Sequence, residues 1–323
     1  MRVQTARAFS FHGGSASFVD SQTLCYPCGN TVKFENVESG QENFLGGLEY
    51  GVSAVAGCAD AGLVVYAEKG TSPNVHVYSF PTLQAVATLE GSAELEIDQV
   101  AVSRDGAVVA VVSGVPDQML TVWQGGPGWK EPSIACRTAL SPAGCASLSI
   151  CPGDANKLCT ISQTGELLLH HVVEDIDQAS SGVILALKSW DPLPGEFKED
   201  AAVSAGWTPT NQLLVGLSSG TVLALSLTDL ATGKAASATT LYAPATGADA
   251  PAPAAATALN VSAAYTLIGF GDGIVRVLKD GGDSVELEVA SAGGAISSIS
   301  PQPSAGKFWA CATDGSVSCI SGK

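Results

Sequence analysis

The sequence predicts an all-β chain, a β-propeller of seven blades, and three observations carry that prediction. The composition is 46% hydrophobic against 14% charged, with 36 Gly and 16 Pro in 323 residues, the pattern of short apolar strands cut by many turns. A unit in which a Gly, Asn or Asp turn leads into an alternating strand occurs seven times along the chain. Counted from Thr31, Asn74, Met119, Glu166, Thr221, Ile274 and Ser316, successive units are 43, 45, 47, 55, 53 and 42 residues apart, near the ~40–45 residues of a WD-type blade.

In chain order the seven strands are Asn30-Thr31-Val32-Lys33-Phe34, Asn74-Val75-His76-Val77-Tyr78, Met119-Leu120-Thr121-Val122-Trp123, Glu166-Leu167-Leu168-Leu169-His170, Thr221-Val222-Leu223-Ala224-Leu225, Ile274-Val275-Arg276-Val277-Leu278 and Ser316-Val317-Ser318-Cys319-Ile320. Each follows a second strand across a short turn, as Ala107 to Val112, Gln212 to Gly216 and Tyr265 to Gly269 do, which makes the hairpin at the centre of a blade. An inner strand precedes each pair, for example Asp98 to Ser103 and Ala295 to Ile299. The segment Thr221 to Leu227 is apolar on both faces, as a sheet wedged between two others requires. Small residues on the inner strands, such as Ala101, Ser103, Ser147, Ser149, Ser297 and Ser298, suit the crowded middle of a propeller. The expected class is therefore a WD40-like propeller spanning 1–323 as one domain.

The last unit stops at Gly322-Lys323, directly after its third strand. Residues 1–6 are expected to supply the missing strand, with Val3 to Thr5 covering an edge that would otherwise invite aggregation. Two longer steps contain insertions: Ser189 to Asp200, with Trp190, Pro192, Leu193, Pro194 and Phe197, and an Ala/Pro-rich stretch, 244–256, expected to be mobile.

Fifteen basic against 31 acidic residues leave a net charge of −16, which disfavours nucleic acid and anionic membrane as partners. Mean hydropathy is positive, but the most apolar stretch, Ala107 to Val112, falls far short of the roughly 18 residues of a spanning helix. Met1 to Arg7 shows no apolar block with a cleavage site, so a reducing intracellular compartment is expected. The nine cysteines, an odd number and mostly inside strand-like runs such as Leu158-Cys159-Thr160-Ile161, read as reduced packing residues, Cys145, Cys151 and Cys159 among them.

Several motifs resemble chemistry and lack its context. Cys25-Tyr26-Pro27-Cys28 has half the spacing of a zinc site, but neither His12 nor Cys58 supplies a second half. Gly216-Leu217-Ser218-Ser219-Gly220 matches a hydrolase elbow in letters, yet a strand follows where a helix must. The same holds for Gly269-Phe270-Gly271-Asp272-Gly273 as a phosphate loop. His170 and His171 are adjacent on a strand and point to opposite faces. Asn260-Val261-Ser262 fits a glycosylation acceptor that an intracellular chain does not present. No catalytic residue, cofactor or metal ligand is expected, and the chain reads as a non-enzymatic binding module.

Three stretches, Cys25-Tyr26-Pro27-Cys28-Gly29-Asn30, Val77-Tyr78-Ser79-Phe80-Pro81 and Trp207 to Gly216, resemble the N-terminal WD-repeat region of the cilia- and flagella-associated protein forty-three family, from the first blade to at least the fifth. General WD hallmarks are sparse: only Trp123 stands at the third-strand tryptophan position, with no Asp after it. The resemblance implies a longer protein of which this is the N-terminal part, with further WD-repeat and coiled-coil segments. It also implies an axonemal scaffold in the cilium or flagellum. There, with a related WD-repeat protein, it would tether the motor domains of inner-arm dynein to the doublet microtubule and support motility. Rival readings are a WD scaffold in a transport or vesicle assembly, and a metal-binding or hydrolytic module built on Cys25 and Cys28 or a central channel. For the partner surface, the expected anchors are Trp190, Leu193 and Phe197, stiff apolar groups with a charged rim. The competing role for the two rings is to cover their own blades.

Overall fold

The computed structural model describes residues 2–8, 16–46, 50–176, 183–227, 237–245, 252–261, 265–279, 285–290, 294–303 and 306–321. These form seven four-stranded antiparallel sheets, the blades of a seven-bladed β-propeller. By backbone contacts the chain divides into two compact units, one of Ser17–Gln163 and Leu168–Asp191, the other of Met1–Ala16, Thr164–Leu167 and Pro192–Lys323.

The first unit carries four blades. Blade 1 is Ser17–Phe18, Thr23–Cys28, Thr31–Asn36 and Glu42–Gly46, and blade 2 is Val52–Cys58, Leu63–Glu68, Val75–Ser79 and Gln84–Leu89. Blade 3 is Ile97–Val102, Val108–Ser113, Met119–Gln124 and Ser133–Ala139, and blade 4 is Cys145–Ile150, Lys157–Ser162, Leu167–Ile176 and Val183–Trp190. All six residues of Val108–Ser113 are buried. Alternation explains how one strand serves two neighbours. Val109 and Val111 pack with Val65, Val75 and Val77 of blade 2, while Val108, Ala110 and Val112 pack with Leu158 and Val172 of blade 4. Outer strands are wetter: Glu42–Gly46 has no buried residue.

The second unit holds blade 5 (Ala202–Trp207, Leu213–Leu217, Val222–Ser226, Ser237–Tyr242) and blade 6 (Ala256–Val261, Tyr265–Phe270, Ile274–Lys279, Val285–Ala290). Blade 7 takes Ile296–Gln302, Lys307–Ala312 and Ser316–Ser321 from the C-terminal end and Arg2–Ala8 as its fourth strand. Val3 pairs with Ile320 and Thr5 with Ser318, antiparallel. Alternation works here as in blade 3: Ile268 joins the cluster with Leu214 and Val222 of blade 5, and Leu267 the one with Ile296 and Phe308 of blade 7.

Blades 2 to 7 share a device that the repeat pattern does not display. Each first strand has a register shift at its start, across Val52/Ala54, Ile97/Gln99, Cys145/Ser147, Ala202/Ser204, Ala256/Ala258 and Ile296/Ser298. A β-bulge there bends the strand and raises its twist. Beside each bulge, the residue that follows the second strand donates its N–H to the carbonyl of the residue that precedes the first. In the first unit these bonds are Lys69 to Gly51 (2.9 Å), Gly114 to Glu96 (2.9 Å) and Gln163 to Gly144 (3.2 Å). In the second they are Ser218 to Ala201, Gly271 to Ala255 and Thr313 to Ala295, each 2.8 or 2.9 Å. In blades 2 to 7 the entry loop is thereby clamped to the central hairpin turn of its own blade.

Two expected boundaries need correction. Ser189 and Trp190 are not part of an insertion: they end the fourth strand of blade 4, paired with His170 and Leu169. The long step arises because the third and fourth strands of that blade run to 10 and 8 residues, and the inserted loop shrinks to 191–201 with one 3-10 turn, Gly195–Phe197. In the 244–256 stretch, residues 246–251 lie outside the described residues, and Ala256 is a buried strand residue.

Gly269, in the second strand of blade 6, shows how closely the blades of the second unit approach. A Cβ at that position would sit 2.7 Å from Ile296 Cβ of blade 7, well inside van der Waals contact. Gly269→Ala is expected to lower stability by about 1–3 kcal/mol, the usual cost of overpacking, read as a lower urea midpoint with an unchanged slope. An unchanged midpoint would show that the neighbouring blade yields freely.

Candidate interaction surface

The expected anchors fall in different places. Trp190 closes the last strand of blade 4 in the first unit, with its ring partly covered. Leu193 and Phe197 belong to the second unit. Leu193 is 5% exposed and packs within the protein. Phe197 ends the short 3-10 turn, partly covered, its N–H bonded to the Pro194 carbonyl at 2.9 Å.

The motifs that resembled chemistry have structural explanations. Cys25 and Cys28 lie three residues apart on the strand Thr23–Cys28, which directs their sulfurs to opposite faces. Cys25 is fully buried and burial pushes its thiol up to about 12. Cys145 and Cys159 are also pushed up to about 12 and Cys136 to about 11, again by burial. Thiols so protonated are poor nucleophiles and poor metal ligands. Ser218 opens the turn between the second and third strands of blade 5, its hydroxyl donating to Asp200 Oδ1. The strand Val222–Ser226 follows it, so the helix dipole and exposed elbow of a hydrolase nucleophile have no counterpart. Asn260 spends its amide on the Ile299 carbonyl at 2.9 Å.

Among the described residues, two surface features stand out in the first unit. One is a cleft of about 400 Å³ between the first hairpin turns of blades 2, 3 and 4, lined by Asp60, Arg104, Asp105, Cys151 and Asp154 among others. Its charges are already engaged. Arg104 pairs with Asp60, Asp154 with Lys157 at 2.8 Å, and Asp105 accepts from the Ser103 hydroxyl, which holds its carboxyl below the usual range. The other lies among the clamped loops, where Tyr50, Leu95 and Val115 stand exposed. Sequence reasoning passed over it, although Glu94-Leu95-Glu96 and Val115-Pro116-Asp117 set apolar residues against carboxylates outside any strand alternation.

A model of the CFAP43 N-terminal domain matches residues 9–232, more than two-thirds of the chain and all of blades 1 to 4. The chain belongs to the CFAP43 N-terminal domain family. It is 29% identical over 147 residues to cilia- and flagella-associated protein 43 of Xenopus laevis, covering 46% of this chain and 9% of that protein. The protein of the same name from Chlamydomonas reinhardtii is 29% identical over 203 residues, 51% of this chain and 12% of the relative. Cilia- and flagella-associated protein 44 of Mus musculus is 29% identical over 121 residues, 37% of this chain and 6% of its own length. The chain thus spans about a tenth of the CFAP43 relatives it matches, and the match includes the loops on which Leu95 and Val115 sit.

His170 provides a test of the blade-4 core. It is fully buried, with Nε2 2.8 Å from Thr160 Oγ1 and Nδ1 2.6 Å from Ser189 Oγ. Burial pushes its pKa down to about 4, so it is neutral in the fold while the unfolded chain takes up a proton near 6.5. The stability it contributes is complete above that value and is lost as pH falls from about 6.5 to about 4. The wild-type urea midpoint should fall through this window more steeply than that of His170→Gln. Parallel pH profiles would contradict a neutral, buried His170.

Proposed function

We propose that the chain is a non-enzymatic docking module of a cilia- and flagella-associated protein, working within the axoneme. In the finer form of this proposal it acts with a related WD-repeat protein to tether inner-arm dynein motor domains to the doublet microtubule. One observation carries the reading: a model of the CFAP43 N-terminal domain matches residues 9–232 of the chain. Relatives named as cilia- and flagella-associated proteins support the location. A net charge of −16 supports protein partners over phosphate backbones and anionic lipid. Propellers expose loops from many blades on one face and suit multivalent docking.

The test is removal of residues 1–323 from the whole protein in a ciliated cell. Loss of the protein from axonemes, with displaced inner-arm motor domains in tomograms, is the expected result. Normal beating and normal motor positions would refute the tether. Trp190→Ala and Phe197→Ala, made one at a time, ask whether either partly covered ring meets a partner. A partner-binding ring loses recovery of axonemal proteins at an unchanged melting temperature, whereas a covering ring lowers the melt. Ser218→Ala and Cys25→Ser are expected to leave that recovery unchanged.

A further inference from the structure

Leu95 and Val115 are 52% and 66% exposed, and the backbone holds them side by side. The Gly114 N–H donates to the Glu96 carbonyl at 2.9 Å, and the Glu94 N–H to Asp117 Oδ2 at 2.7 Å. The entry loop of blade 3 is therefore tied at two points to the central turn of the same blade, with Leu95 between the tied residues Glu94 and Glu96 and Val115 between the tied residues Gly114 and Asp117. The Ser72 N–H reaches the Glu94 carbonyl at 2.6 Å, extending the tie to blade 2. There the ring of Tyr50 lies against Gly70, 3.2 Å from where a Cβ would be. Apolar side chains held this way contribute little to the core and are presented in a fixed arrangement.

The rim is acidic. Glu94 and Glu96 are exposed on either side of Leu95, and Asp117 follows Val115 by two residues. Among the described residues none of the three takes part in an ion pair. Rigid apolar groups ringed by unneutralised carboxylates match one kind of occupant. We propose that this face docks a basic segment of another polypeptide, seating an aliphatic side chain on Leu95 and Val115 and setting Lys or Arg against Glu94, Glu96 and Asp117. A second copy of the chain would bring the same carboxylates and a charge of −16, which disfavours it by like-charge repulsion. The inference rests on the docking-module reading and names its partner's chemistry.

The probe is a labelled synthetic peptide alternating Lys and Leu, with Lys/Ser and Glu/Leu peptides as controls, titrated into the 323-residue chain. The Lys/Leu peptide is expected to bind, and Leu95→Ser with Val115→Ser to weaken it by about tenfold, the loss of part of the aliphatic contact that the two side chains share. Glu94→Gln with Glu96→Gln should flatten its salt dependence. Ile184→Ser, at an exposed apolar residue of blade 4, should change nothing. Equal binding of the Lys/Ser peptide, an unchanged double variant, or equal weakening by Ile184→Ser overturns the proposal. So does self-association of the chain that Leu95→Ser abolishes. Both side chains are exposed, so an unaltered melt is expected; Leu95→Gln, close in volume, replaces the double variant if that one melts lower. Attachment of the chain to axonemes is measured separately. Its absence sinks the docking-module reading, whereas peptide binding judges the face itself.

Discussion

The structure depends on second strands that are buried on both faces. Each residue of Val108–Ser113 is covered, and each fully buried Val or Leu contributes about 1.5–3 kcal/mol relative to exposure. That gain exists only while a neighbouring blade lies on each side, because a lone four-stranded sheet would leave both apolar faces in water. The consequence is mutual dependence: Val109 and Val111 need blade 2, and Val108 and Val112 need blade 4. The same dependence explains the fourth strand of blade 7. Without Arg2–Ala8, the backbone groups of Ser316–Ser321 would form an open edge.

Packing of this kind fixes the faces of a blade and leaves its ends to be settled by hydrogen bonds. The repeated clamp and bulge do that. A bulge turns the start of the first strand, and the N–H beyond the second strand catches the entry loop. Loops that would otherwise differ from blade to blade are thus anchored at an equivalent point, while the residues between anchors are free to vary. Leu95 and Val115 are such residues, and their side chains are left exposed by the fold. Rigidity of the anchors matters for binding, because a contact surface ordered in advance loses less entropy on association.

The seven third strands were legible because period-two alternation after a turn is a local signal, and strands such as Met119–Gln124 and Ile274–Lys279 lie where that signal puts them. Trp123 was legible for the same reason; its indole donates to Ser92 Oγ at 3.0 Å, a partner 31 residues away that no local pattern indicates. The bulges were not legible. The skipped residues, Ser53, Asp98, Ala146, Val203, Thr257 and Ser297, share no side-chain chemistry, since the bulge is specified by backbone bonds. Strand ends were blurred where polar residues continue a ladder, as Ser189 does opposite His170. Glu35 is another case. It reads as a surface charge in Thr31–Asn36, yet it is 2% exposed beside the Tyr26 hydroxyl at 3.0 Å and Lys33 Nζ at 3.3 Å.

Glu35 and Glu94 together show why charge counts in this chain must be read by position. Both contribute equally to the net −16, but Glu35 has its hydrogen-bond donor and its ammonium within reach, and its field is largely spent inside blade 1. Lys33 is also committed to Glu42 at 2.7 Å, so one cation balances two carboxylates there. Around Leu95 the carboxylates make no ion pair among the described residues, so their field extends into solvent over roughly a Debye length, about 8 Å at physiological salt. A field of that reach draws in a cationic segment before any apolar contact forms, and it turns away the anionic surfaces that a hydrophobic patch alone would not discriminate. Selectivity at this face therefore comes from charges that folding leaves unbalanced, and affinity from the two aliphatic side chains that folding leaves uncovered.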